Sequence, residues 1–283
     1  MKIKARKLNI IDLINNKKDI LWGKDYFGQF KKNKLINYLI FGNHQNLMDI
    51  KEIFRTDTCS KNLINDFVNL YAKKTKYFIR ELDELRDLKE IEVMRESGFM
   101  RFNRNYCFDF DAQQFNQSSE TQVHDVYCRE ITRKDFGELA NFDRDCQIME
   151  YRDVFFRNKV FFENNLNKVF IFSHTNNLNN IVAYALKKEI KDKSVFEIIM
   201  HPASASLIHD CIIAFAEKYV FFEKFDDNFF FIVNDNLKTG IEALRKQYAL
   251  LWSNQILIKE GNPRTKIKLS KQIFNFNSVT KTT

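Results

Sequence analysis

Two stretches of this 283-residue chain carry the same elements in the same order, on either side of a polar segment at 111–122, DAQQFNQSSETQ. That segment has no apolar periodicity and reads as a linker. Before it stands IKARKLNIIDLI, with Arg6 and Asp12; after it stands VYCREITRKDFGEL, with Arg129 and Asp135 at the same spacing. In both, a short strand runs into a helix with the Asp near its start, where the positive end of the helix dipole favours a carboxylate. A second pair of matching elements is helical. Leu63, Ile64, Phe67, Val68 and Tyr71 form one apolar stripe, and Leu207, Ile208, Cys211, Ile212 and Phe215 repeat its spacing, with Ser60 and Ser204 three residues ahead. The third pair closes each half. Phe78-Ile79 matches Phe231-Ile232 in an apolar strand, Glu92 and Arg95 match Glu242 and Arg245 in the helix that follows, and strand-like sequence ends both copies. Three matches in order make duplication the better account.

The middle of the second copy is the easier to read. A strand at 168–174, an Asn-rich turn (TNNLNN), a strand at 181–190 and a third strand ending before Pro202 give a mixed sheet flanked by helices. The expected fold class is α/β (α+β), with two units in tandem, each a mixed, mostly antiparallel sheet. The expected domains are 1–111, shorter than its partner, and 123–262, followed by a basic tail at 263–283.

Composition excludes several function classes. With 45% apolar and 29% charged residues the chain reads as an ordinary soluble domain, and it has no apolar run of the roughly 20 residues a membrane helix needs. The start lacks the pattern of a secretory signal. Five scattered cysteines without a CxxC spacing disfavour zinc and a disulfide framework, so no metal is expected and a cytoplasmic location fits. The net charge of +8 is concentrated in the first third and the tail. Nucleic-acid binding needs basic residues gathered on one element with stacking aromatics, so it trails other readings.

The element order and end sequences resemble the GNAT superfamily of acyl-CoA-dependent N-acyltransferases. The residues that carry the resemblance are Arg129 and Asp135, Glu197 and Pro202 on and after the fourth strand, the helix from Leu207, and the ESGF turn at 96–99. The resemblance implies acetyl-CoA or another acyl-CoA as co-substrate in a notch between two central strands, and an amine-bearing acceptor. It implies Glu197 as the general base, Tyr248 as the acid standing one helical turn from the family's Tyr position, and Met200, Ser204, Ala205 and Ser206 around the pyrophosphate. The plainer reading of Glu197 is a strand carboxylate paired with a Lys.

The sequence departs from the family at the pyrophosphate loop, because no Gly occurs between Gly137 and Gly240. Ser hydroxyls at the helix start are the expected substitute. His201 and His209 lie near the same turn, Cys211 reads as core, and the aromatic run 219–231 reads as a buried strand and its approach. The preferred function is acyl transfer from acyl-CoA to an amine. The alternative is a non-catalytic GNAT-derived protein that binds a protein partner or small ligand.

Overall fold

The computed structural model describes residues 3–15, 18, 24–44, 47–55, 60–111, 125–147, 157–190, 193–222 and 229–262. The linker (from 112) and the basic tail (263–283) lie outside the described residues. The chain forms two compact units. One holds Met1–Arg104 and the strand segment from Asn254; the other holds Asn105–Ser253.

The sheet of the first unit runs in the order β1 (Lys4–Lys7), β2 (Asp25–Lys31), β3 (Lys34–His44), β4 (Leu47–Arg55), β5 (Tyr77–Asp83) and β12 (Leu250–Glu260). The second unit repeats that order with β7 (Val126–Glu130), β8 (Val169–His174), β9 (Asn177–Ile190), β10 (Lys193–Met200), β11 (Phe229–Asn234) and β6 (Met100–Phe110). Each sheet is antiparallel except for one parallel pair, β4–β5 in the first and β10–β11 in the second. The last place in each sheet is filled by the other half's final strand: Ile79 of β5 faces Ile258, and Ile232 of β11 faces Cys107. Alternation within a strand fixes which face is apolar but not which neighbour the strand pairs with, so the exchange is invisible in the sequence.

The helices are α1 (Ile10–Asn15), α2 (Ser60–Tyr71) and α3 (Leu88–Glu96) in the first unit, and α4 (Phe136–Cys146), α5 (Lys159–Asn164), α6 (Ile208–Phe222) and α7 (Lys238–Gln247) in the second. The α2 stripe read from the sequence is buried throughout, and Phe67 meets the rings of Phe27, Phe41 and Phe78 with centroids 4.9–5.7 Å apart. In α6, Phe215 does the same against Phe170, Phe196 and Phe229. Aromatic packing of this kind adds to the hydrophobic gain from area alone.

The first unit keeps all its strands. Its compactness comes mainly from the connection between its first two strands, residues 8–24 against 131–168 in the second unit. The expected Asn-rich turn is tighter than read: β9 starts at Asn177, opposite His174, which leaves Thr175 and Asn176 as the turn. Among the described residues, no helix is long and apolar enough to cross a membrane.

Candidate active site

The opening Arg–Asp pairs form the same clamp in both units. Arg6 Nη1 and Nη2 donate to Asp12 at 2.6 Å each, and Arg129 donates to Asp135 at 2.8 and 2.7 Å. The same carboxylate accepts a backbone N–H at the helix start, from Asn9 in one unit and Thr132 in the other. Asp135 is the more buried of the two, and the Arg129 and Thr132 contacts outweigh that burial and hold it at about 2.

The notch is built where the parallel strands part. The β10–β11 ladder runs from Val195–Phe230 to Ile198–Val233 and stops there. Beyond it each strand pairs only outward, β10 with β9 as far as Met200–Ala183 and β11 with β6 as far as Asn234–Asn105. Glu197 sits one residue before the end of the ladder.

Its side chain joins a polar network assembled from several elements. Arg157 Nη2 donates to Glu197 Oε2 at 2.9 Å, and Lys188 Nζ lies 3.0 Å from the same oxygen. Arg157 Nη1 also donates to the Tyr184 hydroxyl at 2.9 Å and to Asp143 Oδ1 at 3.1 Å, while its backbone N–H and the Tyr184 hydroxyl donate to the Asp143 carboxylate. Asp143 and Tyr184 are fully buried. Burial alone pushes the Glu197 pKa up, but the charges and hydrogen bonds of Arg157 and Lys188 prevail and hold it at about 2. Asp143, with no exposure at all, is instead raised, because burial there outweighs the pull of Arg157.

The other candidates lie on the opposite face. Along β10, Phe196, Ile198 and Met200 belong to the cluster that packs under α6, so Glu197 points the other way. Tyr248 packs against that cluster, with its ring 5.2 Å from Phe231, 5.9 Å from Phe110 and 5.9 Å from His209. Burial raises the Tyr248 pKa, so the phenol stays protonated. Among the described residues its hydroxyl has no hydrogen-bond partner. The fold thus separates Glu197 from Tyr248 by the thickness of the sheet. Cys211 is buried in the same cluster, and burial pushes its thiol well up.

The turn after β10 is a 3-10 helix, Pro202–Leu207, leading into α6. Pro202 has no N–H to offer. The Ala203 N–H donates to His201 Nδ1 at 3.2 Å, and the Ser204 N–H donates to the His201 carbonyl at 2.9 Å. The first backbone donors are therefore taken within the protein. With Nδ1 accepting, the proton of a neutral His201 sits on Nε2, and the ring is exposed. Ser206 is exposed, Ser204 half-buried, and Met200 and Ala205 buried. Gly240 of α7 presses against this turn; a Cβ there would lie 2.6 Å from the Ala205 carbonyl oxygen. The donors this turn leaves for a ligand are side-chain ones, the Ser204 and Ser206 hydroxyls and His201 Nε2–H. Among the described residues no group of side chains is suited to a metal ion.

Reading by residue spacing missed Arg157, Asp143 and Tyr184, because their partners are 14 to 41 residues away; Lys188, nine residues before Glu197 on the neighbouring strand, is the Lys that the plainer reading of Glu197 called for. It also missed Arg80, although an Arg inside the apolar strand YFIRELD was a visible signal.

No protein-family model and no curated protein sequence matches the chain. Solved structures do. A GCN5-related N-acetyltransferase from Sphaerobacter thermophilus matches at 9% identity, over 91% of this chain and 95% of that one, with a TM-score of 0.52. A tandem GNAT protein from the clavulanic acid biosynthesis pathway matches at 7% identity over 90% and 89%, also at 0.52. A functionally unknown conserved protein from Staphylococcus epidermidis matches at 14% identity over 79% and 91%, at 0.51. At such identities the likeness lies in the fold, and it spans both units. The strand order, the single parallel pair in each sheet and these neighbours agree: this chain has the fold of two GNAT-like units in tandem.

Proposed function

We propose that the second unit is an acyl-CoA-dependent N-acyltransferase. The observation that carries this reading is the parting of β10 and β11 just beyond Glu197, which leaves a gap beside a carboxylate; Tyr248 packs on the other face of the sheet, against Phe231 of β11. Acyl-CoA would supply an activated thioester; the protein's part is to hold it and to hydrogen-bond the reacting groups. Ser204, Ser206 and His201 Nε2–H are the donors for its diphosphate. Tyr248, protonated and without a competing partner among the described residues, would donate a hydrogen bond to the leaving sulfur, which departs as a thiolate and takes its proton from water.

Glu197 is a weak base at about 2. Its role is to receive the hydrogen bond of an acceptor amine and pass the released proton to water. Lys188 Nζ at 3.0 Å marks how an amine fits against that carboxylate.

The test is titration calorimetry with acetyl-CoA on the whole chain, followed by thiol release with a panel of amines. Saturable binding, with amine-dependent thiol release lowered at least about tenfold by Tyr248→Phe, is expected. Absence of binding at millimolar acetyl-CoA overturns the reading. The clamping of Glu197 by Arg157 and Lys188 favours a second one, a non-catalytic GNAT-derived protein that binds a partner or small ligand. Binding without thiol release for any amine would support it.

A further inference from the structure

The first unit has the same parting of strands, earlier and longer. The β4–β5 ladder holds only Leu47–Tyr77, Met48–Phe78 and Asp49–Ile79. Past that point β4 pairs with β3 as far as Arg55–Asn37, and β5 pairs with β12 as far as Asp83–Asn254. Matching Phe78-Ile79 to Phe231-Ile232 puts Asp49 at the place of Glu197 and Arg80 at the place of Val233. Where Val233 continues the ladder opposite Ile198, Arg80 opens the gap and its own side chain enters it.

The gap is filled by that side chain. Arg80 Nη1 donates to the Ile50 carbonyl at 3.1 Å and also to the Lys51 carbonyl. Its Nε donates to Glu90 Oε1 on α3 at 2.8 Å. Arg80 and Glu90 are 5% and 7% exposed, so the ion pair is enclosed by the unit's own core. A ligand with amide donors lying between the strands would need those same carbonyls on β4. It would also have to displace a buried guanidinium and leave Glu90 without its partner, which is strongly unfavourable.

We infer that the first unit takes no acyl-CoA, because Arg80 fills its notch and uses its backbone acceptors. The chain then carries one cofactor site at most. The count of one rests on the function proposed for the second unit; the closure of the first does not.

The experiment combines acetyl-CoA binding stoichiometry with hydrogen exchange of the whole chain, wild type and Arg80→Ala, with Arg80→Lys in reserve should the alanine variant not fold. One site per chain is expected, with ligand protection in peptides covering 193–210 and none in 47–55 or 77–90. Faster exchange at 50–55 in the Arg80 variant without ligand is also expected, since the side chain stitches strands that have no ladder between them. Two sites, or protection at 47–55, would overturn the inference. Unchanged exchange at 50–55 on loss of Arg80 would overturn it as well. Zero binding together with faster exchange in the variant would remove the proposed function and uphold the closed notch.

Discussion

Glu197 and Arg157 show how a buried ion pair ties stability to protonation. The folded Glu197 carboxylate sits at about 2, below its ordinary 4.5. A depressed acid stabilises the fold above its unfolded pKa and loses that contribution as pH falls through the folded value. The loss therefore falls between about pH 4.5 and 2, and Asp135 adds to it over nearly the same window. Acid titration followed by circular dichroism should show a steep loss of stability there, less steep in Glu197→Gln. That substitution leaves the Arg157 charge enclosed and short of a partner, at a cost of about 3–5 kcal/mol in urea unfolding. The Arg129–Asp135 pair was legible in the sequence as a repeated spacing with the Asp at a helix start; that the two close into a clamp came only with the structure. The Arg157 network was not, since its members come from separate elements and only the finished sheet brings them together.

At the scale of elements, the paired clamps offer a controlled comparison. Asp135→Ala should cost about 1.5–3 kcal/mol, the range for hydrogen bonds to a charged group. Asp12→Ala should cost about 0–1 kcal/mol, because Arg6 is half exposed and solvent screens the pair. Equal losses in parallel urea titrations would count against environment as the cause. The α3 terminus is set by Gly98, whose φ of +83° suits a residue without a Cβ, and by the Lys259 ammonium, which donates to the Ser97 carbonyl. In the second unit, Gly240→Ala should cost about 1–3 kcal/mol, because the added methyl meets the Ala205 carbonyl oxygen as well as the buried Ile208 side chain. The apolar stripes of α2 and α6 were legible from their period. The helix expected from Leu207 begins one residue later, at Ile208, because Pro202 and the His201 cap impose a tighter turn over Pro202–Leu207.

For the whole molecule, the exchanged strands separate what is contiguous in the sequence from what is compact in space. The duplication, the order of elements along the chain and the fold class could be read from the chain; partner choice could not, because the alternation of β6 and β12 does not say which sheet each closes. Residues 1–111 expressed alone would lack β12 and leave β5 with an open edge carrying Phe78, Ile79 and Leu82. Such a fragment should aggregate when made alone and become soluble when co-expressed with 123–283, as size-exclusion chromatography would show. A monodisperse fragment 1–111 with native-like hydrogen exchange would contradict the pairing.

The exchange also orders events during synthesis. The second unit's sheet has all its strands once Asn234 has left the ribosome, since β6 was made earlier. The first unit waits for a strand that ends only at Glu260, so the half translated first is the last to be finished. A premature stop between these two points would leave a complete second sheet and an unfinished first one, a product for cellular quality control to remove.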